Sequence, residues 1–218
     1  MTELEFRNKV TWFSFALSLL VIWVHSYNAE LFLGYQAATG MVYVLEHRIG
    51  EWFSQIAVPG FFVISGYQFY RDFDWGKLKG KWQRRVKSLL VPYIVWNFLY
   101  YLSYVTASRI PAVRDVVGKG VVEFSLASAV DAVIGHTYNN VFWYLYQLLW
   151  LVVLAPVLYP LLKRMWSGLL LLAFFWVLVR LDISGLPVNP DALIYYSSGA
   201  MAALHFRKTV EGAESRKR

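Results

Sequence analysis

The chain has 218 residues, of which 58% are hydrophobic and 18% aromatic, while only 16% are charged. So little charge beside so much Trp, Tyr and Phe excludes an ordinary soluble domain, and repeated long charge-free runs indicate a polytopic membrane protein. There is no cysteine, and the four histidines (His25, His47, His136, His205) make no ligand pair at helical spacing, so disulfides and a sequence-local metal site are excluded and no metal is expected.

Residues 1–9 are a short polar head. Residues 10–29 follow without a formal charge, and at 1.5 Å per residue they match a bilayer core of about 30 Å. This stretch is too long for a signal-peptide core, and no small-x-small cleavage site follows it. Helical spacing puts Arg7, Thr11, Ser14, Ser18, His25 and Asn28 on one face. A polar stripe on a membrane helix is expected to turn toward protein or a wet cavity. His25 is its one ionisable group within the span. An imidazole there suits a general base, and the plainer reading is a packing histidine bonded to a neighbouring helix.

Residues 30–51 are mixed, with His47 expected in solvent. The second span, residues 52–70, carries Pro59-Gly60, which predicts a mid-span kink, and Ser65-Gly66, a small pair where another helix backbone can approach. Residues 71–87 are the most basic stretch. The third span, residues 88–108, has Pro92 near enough its start to bend the beginning without breaking it. Residues 109–131 form a longer connection, and 121–135 read as a short surface helix. His136 then falls in a loop and is expected in solvent. The fourth span, residues 140–162, begins with Trp143, Tyr144 and Tyr146, like an interfacial aromatic belt, and closes at Pro156 and Pro160. The fifth, residues 165–179, and the sixth, residues 192–206, are short. The sixth is polar enough, with Tyr195-Tyr196-Ser197-Ser198-Gly199, to read as a helix packed against protein, and His205 near its end reads as structural. Residues 207–218 read as a charged tail.

With the N-terminus inside, sixteen of the twenty-one Lys and Arg lie on the inner side and five on the outer. This bias accounts for the net charge of +7 better than a nucleic-acid partner does, and places both termini in the cytoplasm. The expected fold is therefore an all-α transmembrane bundle of about six spans. Residues 1–206 form one membrane domain and residues 207–218 a cytoplasmic tail, with membrane lipids as partners.

The run from Pro59 to Tyr67, PGFFVISGY, resembles the F-F-x-x-S-G-[FY] signature of the acyltransferase-3 family of membrane-embedded acyltransferases. The stretch from Lys81 to Tyr93 is similar to that family's basic run into Pro-[Tyr/Phe], and Phe142-Trp143-Tyr144-Leu145-Tyr146 with Pro156 to its W-[FY]-L motif. His25 matches the family's histidine position. Two departures stand out. The family places an arginine eleven residues before its histidine, where this chain has Ser14. Its fold has about ten spans, so a six-span chain reads as a shortened version.

The resemblance implies transfer of an acyl group, typically acetyl from acetyl-CoA, to a hydroxyl of a surface carbohydrate or glycolipid, in a bacterial cytoplasmic membrane. It implies His25 as the catalytic residue, either as base toward the acceptor hydroxyl or as acyl relay, and the residues favour neither. Arg84 and Arg85, with Arg71 and Lys81, are the candidates for the phosphates of acetyl-CoA. The plainer reading of these cations is that they set orientation and contact anionic lipid. Ser65 reads as a packing residue, and Asn97, Asn140 and Gln147 as cavity lining or helix cross-links. The rival reading is a non-catalytic or transporter-like relative of the family, supported by Ser14 and the missing spans.

Overall fold

The computed structural model describes residues 1–26, 40–117, 120–183 and 185–212. Among these residues the chain is all helical. It divides into two compact units, one of Met1–Phe73 with Pro156–Arg218 and one of Asp74–Ala155.

In the first unit, α1 (Glu3–Ser26) is followed by α2 (Met41–Arg48), a π turn (Ile49–Phe53), a 3-10 turn (Ser54–Ile56) and α3 (Ala57–Tyr70). Pro59 therefore sits in the first turn of α3, where its missing N–H costs nothing, and the irregular backbone lies upstream of it. The irregular backbone therefore falls over residues 49–56, at the start of the second span, and not at its middle. Residues 156–162, α10 (Met165–Arg180), α11 (Pro190–His205) and the short α12 (Arg207–Glu211) complete this unit.

The closest crossing in the first unit is α3 on α11. A Cβ at Gly66 would overlap the carbonyl of Tyr196, and one at Gly199 would overlap the carbonyl of Val63. Each helix thus presents its glycine to the other's backbone, the small-residue packing expected of Ser65-Gly66. Tyr196 and Ser197 are fully buried, in keeping with a sixth helix packed against protein. Below the crossing, Tyr70 stacks on Tyr159 at 6.3 Å and meets Tyr196 edge-on at 6.0 Å. His205 is held to the Leu162 carbonyl at 2.8 Å, a structural contact as expected. Outward faces carry Trp12, Trp166, Leu170 and Trp176, an apolar surface of the kind a bilayer covers.

In the second unit, α4 (Leu78–Arg85) runs through a π turn (Val86–Leu90) into α5 (Val91–Ala107), with Pro92 in the first turn of α5. After α6 (Pro111–Val117) comes α7 (Leu126–Ile134), the short helix expected within 121–135. Ser125 caps it by accepting the Ser128 N–H at 3.2 Å. Then α8 (Trp143–Val153) follows a 3-10 turn. The predicted fourth span is broken at Leu154, and α9 (Ala155–Leu162) begins there. Pro156 has no N–H to offer the Val152 carbonyl, and the indole of Trp82 donates to that carbonyl instead, at 2.9 Å.

Among the described residues, one helical stretch, Trp75–Ala107, is long and apolar enough to cross a membrane. Asn140–Val153 with Ala155–Leu162 passes when taken as one broken span, and Met165–Arg180 is apolar but short. Length and apolarity thus single out fewer crossing helices than the six spans read from the sequence. The turns before Pro59 and the break at Leu154 interrupt the second and fourth spans, α10 and α11 are short, and residues 27–29 of the first span lie outside the described residues.

Candidate functional site

α1 carries His25 on its last turn, and the side chain is exposed. The face of α1 that packs is Phe6, Val10, Ser14 and Leu17, not the polar stripe. Arg7, Thr11 and Ser18 are exposed beside His25, only Ser14 is half-buried, and Asn28 lies outside the described residues. Of the two surroundings expected for the stripe, protein or a wet cavity, packing against protein is not what these described residues show. Thr11 donates to the Arg7 carbonyl at 2.9 Å and Ser18 to the Ser14 carbonyl at 2.8 Å, so these hydroxyls are satisfied on their own helix. Two residues before His25, the Trp23 indole donates to the Glu46 carbonyl at 3.4 Å and ties α1 to α2. On α2, His47 is not a solvated loop residue. Its Nε2 lies 3.4 Å from the Tyr43 hydroxyl and 3.3 Å from the Glu51 carboxylate.

Arg71, read as a donor-binding cation, sits in a carboxylate clamp. It donates to both oxygens of Glu3 at 3.1 and 2.8 Å, and to Glu211 through Nε at 2.7 Å and Nη2 at 3.1 Å. Tyr67, the last residue of the F-F-x-x-S-G-Y motif, donates to the same Glu211 at 2.8 Å, and Arg207 at 3.0 Å. Arg207 also pairs with Asp72. The Arg71 hydrogen bonds lead in holding the Glu211 carboxyl down at about 2, against the opposing effect of burial, and Glu211 with Glu3 pushes Arg71 above its ordinary value. The start of α1, the end of α3 and α12 therefore meet at one end of the first unit, where Met1 also donates to the Gly212 carbonyl at 3.1 Å. These are three of the four segments that the charge count assigns to a common side. Residues 207–212, read as part of a charged tail, are folded into this junction.

Lys81, Arg84 and Arg85 share α4 in the second unit. Arg84 is exposed, and Lys81 and Arg85 are half-buried. Trp82 anchors this helix through the Val152 bond, and the π turn after it packs on α8. The second and third family-like motifs are therefore in contact, and Tyr93 lies 6.3 Å from Phe142 and 6.4 Å from Tyr146, ring centre to ring centre.

Asn97 lies one turn beyond Tyr93 on α5, and His136 and Asn139 lie in the turn before Phe142. Asn97 is 1% and Asn139 2% exposed, and His136 is half-buried with its ring 5.4 Å from Tyr146. Asn97 Oδ1, Asn139 Nδ2 and His136 Nδ1 are buried without a hydrogen-bond partner among the described residues. His136 also holds a positive φ of 44°, uncommon for a side chain of its size. Burial lowers the His136 pKa, favouring the neutral ring. The expectation of a solvated His136 is thus corrected. Its burial depends on Tyr146, ten residues on, and no local pattern around Gly135 announces it.

The model of the acyltransferase-3 family, described as an acyltransferase domain, matches residues 11–215. The chain belongs to the acyltransferase-3 family. The match takes in all the motif stretches and each of His25, Arg71, Lys81, Arg84 and Arg85. Membership in this membrane-embedded family makes acyl transfer the class of activity. No protein of curated function and no solved structure matches the chain.

Proposed function

We propose that this chain is an integral membrane O-acyltransferase that moves acetyl from acetyl-CoA to a hydroxyl of a surface carbohydrate or glycolipid. The observation that carries the reading is the family match over residues 11–215, which spans His25 and the basic stretch together. In this reading the chain crosses the cytoplasmic membrane about six times, with both termini inside, and broken helices such as the one at Leu154 count as spans.

His25 acts at the acceptor. An alcohol is a weak nucleophile near pH 7. A neutral imidazole within hydrogen-bond reach takes its proton as the oxygen attacks the thioester carbonyl, and coenzyme A leaves as the thiol. In the relay form the imidazole takes the acyl group first and the alcohol then displaces it. Lys81, Arg84 and Arg85 meet the donor phosphates, since α4 presents them from a helix anchored by Trp82. Arg71 already carries two carboxylates, so its part is to hold α1, α3 and α12 together.

The test uses membranes containing the full chain, radiolabelled acetyl-CoA and total host glycan as acceptor. His25→Gln is expected to abolish transfer, and Arg84→Ala with Arg85→Ala to raise KM for acetyl-CoA with normal insertion. Undiminished transfer by His25→Gln would refute both roles given to this histidine.

A further inference from the structure

We propose that the groove between the start of α1 and the end of α3 holds one acyl chain of an anionic phospholipid, whose headgroup phosphate pairs with Lys9. The inference rests on the membrane half of the proposed function and not on acyl transfer. The groove has a volume of about 260 Å³ and an almost wholly apolar lining. On α1, Phe6, Val10 and Phe13 line it at steps of four and three, and on α3 Val63, Ile64 and Tyr67 line it from the facing side. Contacts fix both ends. At one, the rings of Phe6 and Tyr67 lie 5.7 Å apart, the Arg71 guanidinium covers Phe6 at 4.1 Å, and the Tyr67 hydroxyl donates to Glu211 at 2.8 Å. At the other, Leu17 fills the space beside Gly60. Between these contacts a gap remains, and Ala202 of α11, with only a methyl group to offer, lines it. The carboxylate clamp thus supports the groove as well as the junction of α1, α3 and α12.

Charge and depth specify the occupant. Lys9 lines the groove and is exposed, and no salt bridge reaches it among the described residues. The carboxylates at this end are already engaged. Glu3 and Glu211 hold Arg71, Asp72 holds Arg207, and Glu5, one turn before Lys9, accepts the Thr2 N–H at 2.7 Å. A neutral apolar molecule would leave the ammonium without a partner, and a small anion would leave the apolar groove empty. An anionic amphiphile matches both. Lys9 is the last charge before the charge-free residues 10–29, and Arg71 is the first after residues 52–70. Both therefore stand at headgroup level, on the side that the charge count assigns to the cytoplasm, where anionic lipids attract basic residues. From Lys9 the groove runs toward the bilayer core along Val10 and Phe13. Its volume lies below the about 300–1,000 Å³ of a pocket that encloses a whole drug-sized ligand, so it takes a single chain. The exposed Phe13 and Val210 leave its outer side open, and the second chain of the lipid stays in the bilayer.

The experiment is native mass spectrometry of the full chain released from a maltoside detergent and titrated with dioleoyl phosphatidylglycerol or dioleoyl phosphatidylcholine. The wild-type chain is expected to retain one phosphatidylglycerol, about fivefold more tightly than phosphatidylcholine, the effect of one cation at a lipid headgroup. Lys9→Gln is expected to remove that preference. Ile64→Trp, which fills the groove, is expected to abolish retention of both lipids, with its melting temperature in detergent measured alongside. Lys9 is exposed, so Lys9→Gln tests the site even where Ile64→Trp fails to fold. Equal retention of the two lipids by the wild type, no retention of either, an unchanged preference in Lys9→Gln, or full retention by a folded Ile64→Trp chain would overturn the site. A dimer in the same spectra that Ile64→Trp disrupts would overturn it as well, since a second copy would then occupy the groove. His25→Gln is expected to keep the lipid, so failure of the acyl-transfer reading and failure of this site are read separately.

Discussion

Replacing Glu211 by Gln removes the charge from a carboxylate that three side chains share, while keeping an oxygen able to accept from Tyr67. In the native chain this carboxylate takes Arg71 at 2.7 Å, Tyr67 at 2.8 Å and Arg207 at 3.0 Å, and its side chain is 13% exposed. A carboxyl lowered from 4.5 to about 2 corresponds to at most about 3 kcal/mol of stability. The partners are partly solvated, with Arg207 39% exposed, and screening reduces this to about 1–2 kcal/mol. Glu211→Gln is therefore expected to lower the melting temperature at pH 7 by about 3–6 °C. The pH dependence has a definite sign. The folded-state value lies below the unfolded one, so the contribution is complete above about 4.5 and is lost as pH falls toward 2. Thermal unfolding in detergent, followed by tryptophan fluorescence, should show the gap between wild type and variant closing over that window. The difference between the two proteins removes the titration of every other carboxylate. A gap that stays constant from pH 7 to pH 2.5, or no gap at pH 7, would refute the clamp.

Gly66→Ala is expected to destabilise by about 1–3 kcal/mol, because its Cβ meets the Tyr196 carbonyl and neither backbone can move cheaply. Gly80→Ala, in the first turn of α4 with nothing near its Cβ, is expected to stabilise by about 0.5 kcal/mol. Thermal melts of the pair decide whether packing and helix propensity act as described. Trp82→Phe leaves the Val152 carbonyl without its indole donor, at a cost of about 1–2 kcal/mol, and earlier proteolytic cleavage near Leu154 is the readout.

Local features were legible from the residues alone. Ser65-Gly66 reads as a packing notch because a helix without a Cβ there has one main use in a membrane, and α11 reads as a protein-packed helix from its Tyr and Ser content. Pro92 follows the π turn Val86–Leu90 inside the helical stretch Trp75–Ala107, which begins well before the third span read from the sequence. The irregular backbone near Pro59 lies upstream of it, and the turns from Ile49 to Ile56 are not visible as a pattern in the sequence. The polar stripe of α1 does not pack on protein for a related reason. Thr11 and Ser18 satisfy their hydroxyls on carbonyls four residues back, so polarity did not require an inward face. Arg71 was grouped with the donor-binding cations since its partner Glu211 lies 140 residues away. Asn97, His136 and Asn139 share this difficulty. Each is ordinary in sequence, and only tertiary packing buries a polar atom of each without a partner among the described residues.

The central claim is that the chain acylates a glycan through His25. The most direct measurement is the O-acetyl content of host surface glycans by proton NMR, in cells producing the wild-type chain, His25→Ala or neither, with membrane insertion verified for both proteins. The account predicts an acetyl signal in cells with the wild-type chain and its absence in the other two. An unchanged spectrum from a correctly inserted wild-type chain, or an equal signal from His25→Ala, would contradict it.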